Sequence, residues 1–417
     1  MKIGIVQQFV DTRRGGAETS TVEMARCLAQ LGHDVTVICR GPLFPREPYV
    51  REGFEGGHAT QAVGFEPFIE DDIVFRPLAI HARTKLGRTY GFVRAADRFC
   101  RYERFDIVHA VTPCLSADVY QPRGGTYAET IARGLARSRS PVVRALRRLG
   151  RRFNLSQRFL YWIEQTLLIK HQPWVWVAAV SEYVRRQVLQ IGEFPPERVR
   201  VVFNGVETGP LALSYEQRAE WRRRLRGELQ VADDGPLILF MAHNFRLKGL
   251  GELIRAVAGV RERGADATAW TVAVAGRDRA GPFVRLARRL GVEGRIRFVG
   301  TEHPAQAWYA AADVLVHPTW YDPCSRVVLE ALSVGLPVVT SMHNGASEVM
   351  VPGRHGAVID DPADAESLAA AIDRSLRPEV RAACAADAPR MAERLSMARH
   401  ARELVALYEE VRACRLG

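Results

Sequence analysis

The chain has 417 residues, 47% of them hydrophobic and 25% charged, an ordinary globular composition long enough for two or three domains, each with a sizeable core. A net charge of +11 and a pI of about 9.6 point to an anionic partner: a nucleotide, a nucleic acid or a membrane surface. Seven scattered cysteines without a CxxC or a His/Cys cluster argue against zinc and a disulfide framework, and no apolar run approaches the roughly 20 residues that span a bilayer.

The N-terminus, Met1-Lys2-Ile3-Gly4-Ile5-Val6, lacks a signal peptide's long apolar stretch, so the expected location is the cytoplasm or the inner surface of a membrane. The run Ile3–Val6 reads as a strand, and a helix is expected to run to about Leu31. Between them, Arg13-Arg14-Gly15-Gly16-Ala17-Glu18 could bring backbone N–H groups to an anion at the helix start, or form a plain turn. Further strands are expected at Val35–Ile38, Ile107–His109, Val175–Val180 and Val199–Phe203.

Between the strands Ile107–His109 and Val175–Val180, Arg133 to Arg158 carries nine arginines and no acidic residue. Apolar residues recur there at helical spacing, so residues 133–163 read as an Arg-rich amphipathic helix. Such a helix suits an anionic lipid surface, acceptor phosphates, or simply the outside of a folded core. After Asn204-Gly205-Val206-Glu207 comes a charged helix, Glu216–Glu228, and a polar loop.

The pattern then restarts with Leu237–Met241, Thr271–Ala275, Ile296–Val299, Val314–His317 and Pro337–Thr340, and one or two helices close the chain. Two series of strands alternating with helices predict two doubly wound parallel α/β domains, with ligands at the carboxyl ends of the strands. The expected division is 1–208 and 209–392, with the C-terminal helix 393–417 returning to the first domain.

Two stretches of the second series carry candidate chemistry. In Phe240–Gly249, Arg246 and Lys248 follow a strand, where both can pair with phosphate oxygens. In His317–Val339, a strand gives way to an irregular loop and then a helix near Ser325, whose first amides suit a phosphate. Glu330 lies inside that helix among Val, Leu and Ala, and a carboxylate in such surroundings needs a hydrogen-bond partner. A sugar hydroxyl, an arginine or a backbone N–H would each serve.

At this point the chain resembles the family-four retaining glycosyltransferases of the GT-B fold, whose signature is Glu-x7-Glu. Asp322 stands at the first acidic position and Glu330 at the second, with Pro323 and Val327–Val339 in register. Gly15-Gly16-Ala17-Glu18, Gly32-His33-Asp34-Val35, Asp106-Ile107-Val108-His109, Ala179-Val180-Ser181-Glu182, Asn204-Gly205-Val206, Lys248-Gly249, Ala275-Gly276, Ala311-Ala312-Asp313 and Asn344-Gly345 with Glu348 also match, in order. Within the family, Asp118-Val119-Tyr120, Tyr127-Ala128-Glu129 and Ala307–Pro318 look most like the lipopolysaccharide core glucosyltransferases.

The resemblance implies two Rossmann-like domains facing a central cleft. It implies transfer of a hexose from a nucleotide-diphosphate sugar, the uridine form expected, to a glycan or glycolipid such as a lipopolysaccharide core. Glu330 is implied on the ribose hydroxyls, Asp322 beside the donor sugar and Lys248 on the diphosphate; the family's Arg usually sits elsewhere, and Arg246 is placed beside Lys248 from its charge and reach, so that Asp322, Lys248 and Arg246 make the catalytic set. Gly15, Gly16, His109, Gly124, Gly276, Thr301, Tyr321, Cys324, Ser325, Arg326 and Val327 are implied as further substrate contacts. No cofactor beyond the sugar nucleotide is expected, and the absence of an Asp-x-Asp triplet gives no indication of a metal.

The chain departs from the family pattern in several places. Asp322 is one methylene shorter than the usual Glu, Ser325 replaces a Gly, and Arg326, standing where an apolar residue is common, could reach a phosphate or point to solvent. His109 lacks the usual second His, and Pro122-Arg123-Gly124-Gly125 replaces an Asp. The competing readings are a nucleotide-sugar 2-epimerase, a phosphorylase, an inactive sugar-binding relative, and a nucleic-acid binder using the Arg tract. No nucleic-acid module is expected.

Overall fold

A computed structural model describes residues 1–11, 16–41, 67–136, 154–170, 175–192, 194–262 and 270–416. The first sheet contains β1 (Lys2–Val6), β2 (Asp34–Arg40), β3 (Phe68–Glu70), β4 (Ile73–Leu78), β5 (Ile107–Ala110), β6 (Val119–Tyr120), β7 (Trp176–Ala179) and β8 (Val199–Val201). Their spatial order is β3-β4-β2-β1-β5-β6-β7-β8, and only β3 runs antiparallel. The second contains β9 (Leu237–Met241), β10 (Thr271–Ala275), β11 (Ile296–Gly300), β12 (Val314–His317), β13 (Val338–Ser341) and β14 (Gly356–Ile359), all parallel, in the order β11-β10-β9-β12-β13-β14.

Helices cover both faces of a parallel sheet, so its central strands are apolar on both sides. That is why β1, β5, β9 and β12 read as continuous apolar runs, nearly every residue of them buried. The strands expected from sequence are present, several of them one to three residues different in length. Four others escape the pattern: β3 is three residues long, β4 contains Pro77, β6 is two residues long, and β14 begins with a glycine. β3 turns into β4 through Asp71 and Asp72, both with positive φ, the backbone that a two-residue hairpin turn requires.

The chain crosses from the first sheet to the second after Val206 and crosses back at Ser396. The two crossings lie side by side. The Val206 amide donates to the Leu395 carbonyl (2.9 Å), and the Met397 amide donates to the Val206 carbonyl (2.8 Å). The returning helix Met397–Leu416 then lays Ala401, Leu404, Leu407, Tyr408 and Val411 into the core of the first sheet, against the helix Gly16–Gln30. Arg200 pairs with Glu410 at 2.5 Å and Arg415 with Asp118 at 2.8 Å, fixing its outer face.

Candidate active site

The site is built where the loops after β9 and β12 meet. Trp320 donates its amide to the Leu247 carbonyl (2.9 Å), and the Thr319 hydroxyl donates to the same oxygen (3.2 Å). This brings Lys248 onto the second loop. Its ammonium donates to Asp322 Oδ2 at 2.6 Å and to the Tyr321 carbonyl at 3.2 Å. The pair is almost enclosed, with side-chain exposures of 19% and 12%. Burial alone would favour the neutral acid at Asp322, but Lys248 together with the His317 ring, 3.5 Å away, holds the carboxyl well below the usual carboxylate range. Burial lowers the His317 pKa in turn, against the opposing pull of Asp322.

The loop runs into the helix Arg326–Ser333. Its N-cap, Ser325, makes no side-chain cap bond, and its amide is held by Asn344 Oδ1 at 3.1 Å. The first amides of the helix, at Arg326 and Val327, have no intrahelical acceptor, and the helix dipole gives that end a partial positive charge. One turn further in, both oxygens of Glu330 are engaged. Oε2 accepts from the Tyr309 hydroxyl (2.7 Å) and Oε1 from Arg326 (3.2 Å). Burial and the neighbouring carboxylate push the Tyr309 phenol well above its ordinary value, so it stays a donor at neutral pH.

The first half of the chain closes over this segment. A Cβ on Gly16, at the start of the helix Gly16–Gln30, would lie 3.0 Å from Arg326 Cδ. One helical stretch on, Glu23 takes both arms of the Arg326 guanidinium at 2.5 and 2.8 Å. The Ser181 hydroxyl donates to the Pro323 carbonyl (2.7 Å), Asn204 Nδ2 to the Cys324 carbonyl (3.2 Å), and the Tyr321 hydroxyl to Gln187 Oε1 (3.0 Å). Glu348 caps the helix Glu182–Leu189 from across the interface, accepting the amides of Glu182 and Tyr183 at 2.8 and 2.5 Å.

Lys248, Asp322, Tyr321, Cys324, Ser325, Arg326, Val327, Glu330 and Gly16 thus come together. Gly15 lies outside the described residues. Arg246 is exposed on the Lys248 loop. Gly276 and Thr301 follow β10 and β11 as neighbours. The Gly276 amide donates to the Gly300 carbonyl (2.8 Å), and its φ of +135° with the Ala242 carbonyl against it leaves no room for a side chain. Thr301 accepts from Arg277 at 3.1 Å. Gly124 is exposed beside Gly125, whose backbone faces the Tyr321 hydroxyl.

Two expected contacts turn out differently. Arg326 neither points to solvent nor stands free for a phosphate, because it is held between Glu23 and Glu330. His109 is fully buried with Nδ1 on the Tyr408 hydroxyl (2.8 Å), away from any open surface, and burial beside Arg123 lowers its pKa to about 3. Arg123 is itself buried, bonded to Ser20, Gln121, Asn204 and His400. Sequence reasoning missed the roles of Tyr309, Glu23, Asn344 and His317, since each acts across 5 to 303 residues of chain. The Arg326–Glu330 spacing of four on one helix was the only local signal available.

Known proteins resemble the chain in sequence and in fold. A family model for "Glycosyl transferases group 1" matches residues 235–377, and one for "Glycosyltransferase Family 4" matches residues 14–209. An uncharacterized glycosyltransferase of Methanocaldococcus jannaschii is 31% identical over 204 residues, 48% of this chain and 50% of that relative. The lipopolysaccharide glucosyltransferase WaaG of Escherichia coli K12 is 29% identical over 181 residues, 43% of this chain and 47% of the relative. The chain therefore spans about half the length of these curated relatives.

Among solved structures, WaaG superposes with a TM-score of 0.72 at 20% identity, over 97% of this chain and 99% of that one. Anabaena HepE, crystallised with UDP-glucose, superposes with a TM-score of 0.66 at 17% identity, over 98% and 100%. With both halves matched by family models and the two facing parallel sheets shared with these structures, the chain belongs to the family-four glycosyltransferases of the GT-B fold, close to those of the lipopolysaccharide core.

Proposed function

We propose that the protein transfers a hexosyl group, with retention and without a metal, from a uridine-diphosphate sugar to a glycan or glycolipid acceptor of the lipopolysaccharide-core kind. The observation that carries this reading is the Lys248–Asp322 contact of 2.6 Å, set beside the start of the helix that bears Glu330. Lys248 has three N–H donors and directs two at Asp322 and Tyr321, so the third suits a diphosphate oxygen. The amides at the start of the Arg326–Ser333 helix suit the same group. Glu330 would exchange its Tyr309 and Arg326 bonds for ribose hydroxyls, and Asp322 would accept from the donor sugar. The names of the relatives, a lipopolysaccharide glucosyltransferase and a protein crystallised with UDP-glucose, support this choice of donor and acceptor.

In the reaction the bond between the anomeric carbon and the β-phosphate oxygen breaks, and its electron pair leaves on the diphosphate. The acceptor oxygen bonds to the same carbon from the same face, and its proton passes to the departing phosphate oxygen. Fixed positive groups aimed at that oxygen lower the barrier, each worth about 3–4 kcal/mol when removed. The test is transfer from UDP-glucose to a core oligosaccharide, with product anomer read by NMR, in the presence and absence of a chelator. Glu330→Ala and Lys248→Ala are expected to lose at least ~100-fold in kcat/KM. Near-native turnover by both variants sinks the site assignment, an inverted anomer sinks retention, and loss of turnover with chelator sinks the metal-free reading. Isomerised donor without transfer would instead support the epimerase.

A second part of the proposal is peripheral binding to an anionic membrane surface. Among the described residues, no helix is long and apolar enough to cross a membrane. The helix Leu155–Gln165 and the turn after it nevertheless expose Leu155 (51%), Tyr161 (37%), Trp162 (53%) and Ile169 (38%). These large apolar side chains follow directly on the Arg-rich tract, most of which, 137–153, lies outside the described residues. Apolar anchors beside basic residues suit the headgroup region of an anionic bilayer. Co-sedimentation with vesicles containing phosphatidylglycerol, weakened by Trp162→Ser, is expected at low salt. No binding under those conditions refutes this part.

A further inference from the structure

The helix Arg326–Ser333 begins at the signature loop, and at its other end lies a cavity of about 310 Å³. The walls come from that helix end and from the helices Tyr215–Glu228, Ala305–Ala311 and Pro378–Arg394. Lys248, Asp322 and Glu330 do not line it. Arg218, Arg222 and Arg381 do, together with one carboxylate, Asp313. Oδ1 of Asp313 takes Arg222 and Arg381 at 2.8 Å each, and Oδ2 takes the Leu237 amide (2.8 Å) and Arg226 (3.1 Å). Burial opposes the charge of Asp313, yet the Leu237 amide, Arg222 and Arg381 hold its carboxyl below the usual carboxylate range.

The fourth arginine, Arg218, pairs with no carboxylate among the described residues and donates instead to the Val334 carbonyl at 3.2 Å. Four guanidinium groups thus meet one carboxylate. Two helix ends offset part of this charge, Val334 accepting from Arg218 and Ala311 from Arg222, and each such end counts as at most about half a negative charge. About two positive charges stay unmatched, close to the charge of one phosphomonoester. Part of that surplus is fixed inside the protein, since the Arg226 side chain is 2% exposed. The cavity also touches the donor site through one residue. Tyr309 lines it, and the Tyr309 hydroxyl holds Glu330 Oε2 at 2.7 Å.

We propose that this cavity is an effector site for a small phosphomonoester, with its phosphate on Arg218, Arg222 and Arg381 and its carbon skeleton beside Tyr215 and Leu336. The volume is at the small end for ligand sites, which suits a phosphorylated triose or hexose better than a nucleotide. An effector packed against Tyr309 holds the hydroxyl on Glu330, in the bond that ribose has to displace. Filling the cavity therefore weakens donor binding, and by linkage the donor weakens the effector by the same factor. This coupling rests on the role proposed for Glu330; the anion chemistry of the cavity does not.

The experiment uses the full chain and isothermal titration at constant ionic strength, with glycerol 3-phosphate as the effector probe and UDP as the donor probe. Glycerol 3-phosphate is expected to bind, and to raise the apparent Kd of UDP about fivefold to a plateau. Arg218→Gln/Arg381→Gln leaves Asp313 its bonds to Arg222 and Arg226, so the fold is expected to survive. That variant should lose at least ~30-fold in affinity for glycerol 3-phosphate and bind UDP as the wild type does. UDP binding reports that it is folded, and Arg218→Lys/Arg381→Lys, which keeps both charges, should retain most of the affinity. A UDP Kd that rises without limit marks competition in the donor cleft and overturns the proposal, as does equal binding of glycerol 3-phosphate by wild type and the Gln variant. Binding with no change in UDP affinity keeps the site and overturns the coupling through Tyr309. Vesicles containing phosphatidic acid separate the sources: a shift in UDP affinity from them but not from glycerol 3-phosphate assigns the phosphate to a lipid headgroup, and no binding of either overturns the proposal. Failure of UDP to bind the wild type overturns the donor reading alone, because binding of glycerol 3-phosphate is read directly.

Discussion

Lys248 and Asp322 form an ion pair that water barely reaches, and this makes each the other's condition for burial. Removing one partner of such a pair strands the second charge, at a cost of about 3–5 kcal/mol, whereas removing both is often close to neutral. Lys248→Ala is therefore expected to lower stability as well as activity. Lys248→Ala/Asp322→Asn should regain most of the stability and none of the transfer. Urea denaturation of the three chains checks this, and an additive loss in the double variant would show that the two residues are not coupled. Glu164 carries a different strain. It is fully buried, accepting from the Tyr120 hydroxyl and the Tyr127 amide at 2.8 Å each, and burial pushes its carboxyl up to about 7 despite those bonds. The folded chain then keeps a proton that the unfolded chain has lost between about pH 4.5 and pH 7, so this group's contribution to stability falls as pH rises through that window, by about 3 kcal/mol. Glu164→Gln should gain on the wild type by that amount from pH 4.5 to pH 8 in denaturation experiments. A stability difference that does not change with pH would count against it.

At the level of elements, the site is a matter of loops meeting at strand ends, and one glycine shows how closely they meet. Gly125 has φ +75°, and a Cβ there would run into the Tyr321 hydroxyl. Gly125→Ala is expected to displace the Tyr321 ring and lower stability by about 1–3 kcal/mol. Tyr321→Phe in the same chain should recover part of that, and thermal unfolding of both variants is the check. The sequence makes the strands and loops of this scaffold readable because a parallel strand buried on both faces is an apolar run, and a loop after it stands out by contrast. β9 with Lys248 beyond it, and β12 with Asp322 beyond it, are readable in this way. What escapes is whatever depends on a partner far along the chain. Arg326 looks like a phosphate ligand or a solvated charge until Glu23 is folded against it, and His109 looks like a cleft residue until Tyr408 of the last helix covers it. Tyr309 carries no local mark at all, since its function is set by the carboxylate 21 residues later.

The whole molecule is two sheets joined at one seam and fastened across a cleft. The fastening includes the Arg326–Glu23 pair, the Ser181 and Asn204 bonds to the signature loop, and the Glu348 cap on the Glu182–Leu189 helix. Glu23→Gln removes a charge that holds Arg326 from the far side. The free protein should then open, with a larger radius of gyration by small-angle scattering, and bind UDP about tenfold more weakly, since closure must be supplied by the ligand. An unchanged radius and affinity would show that the pair does not govern closure. The seam itself has a consequence for how the protein is made. Because the helix Met397–Leu416 forms one wall of the first core, with Tyr408 and Leu404 fully enclosed, that core stays unfinished while a ribosome reads every codon of the second half. Synthesis normally lets the leading half of a polypeptide fold first. Here the leading half must wait, with part of its apolar interior uncovered, until the helix Met397–Leu416 emerges.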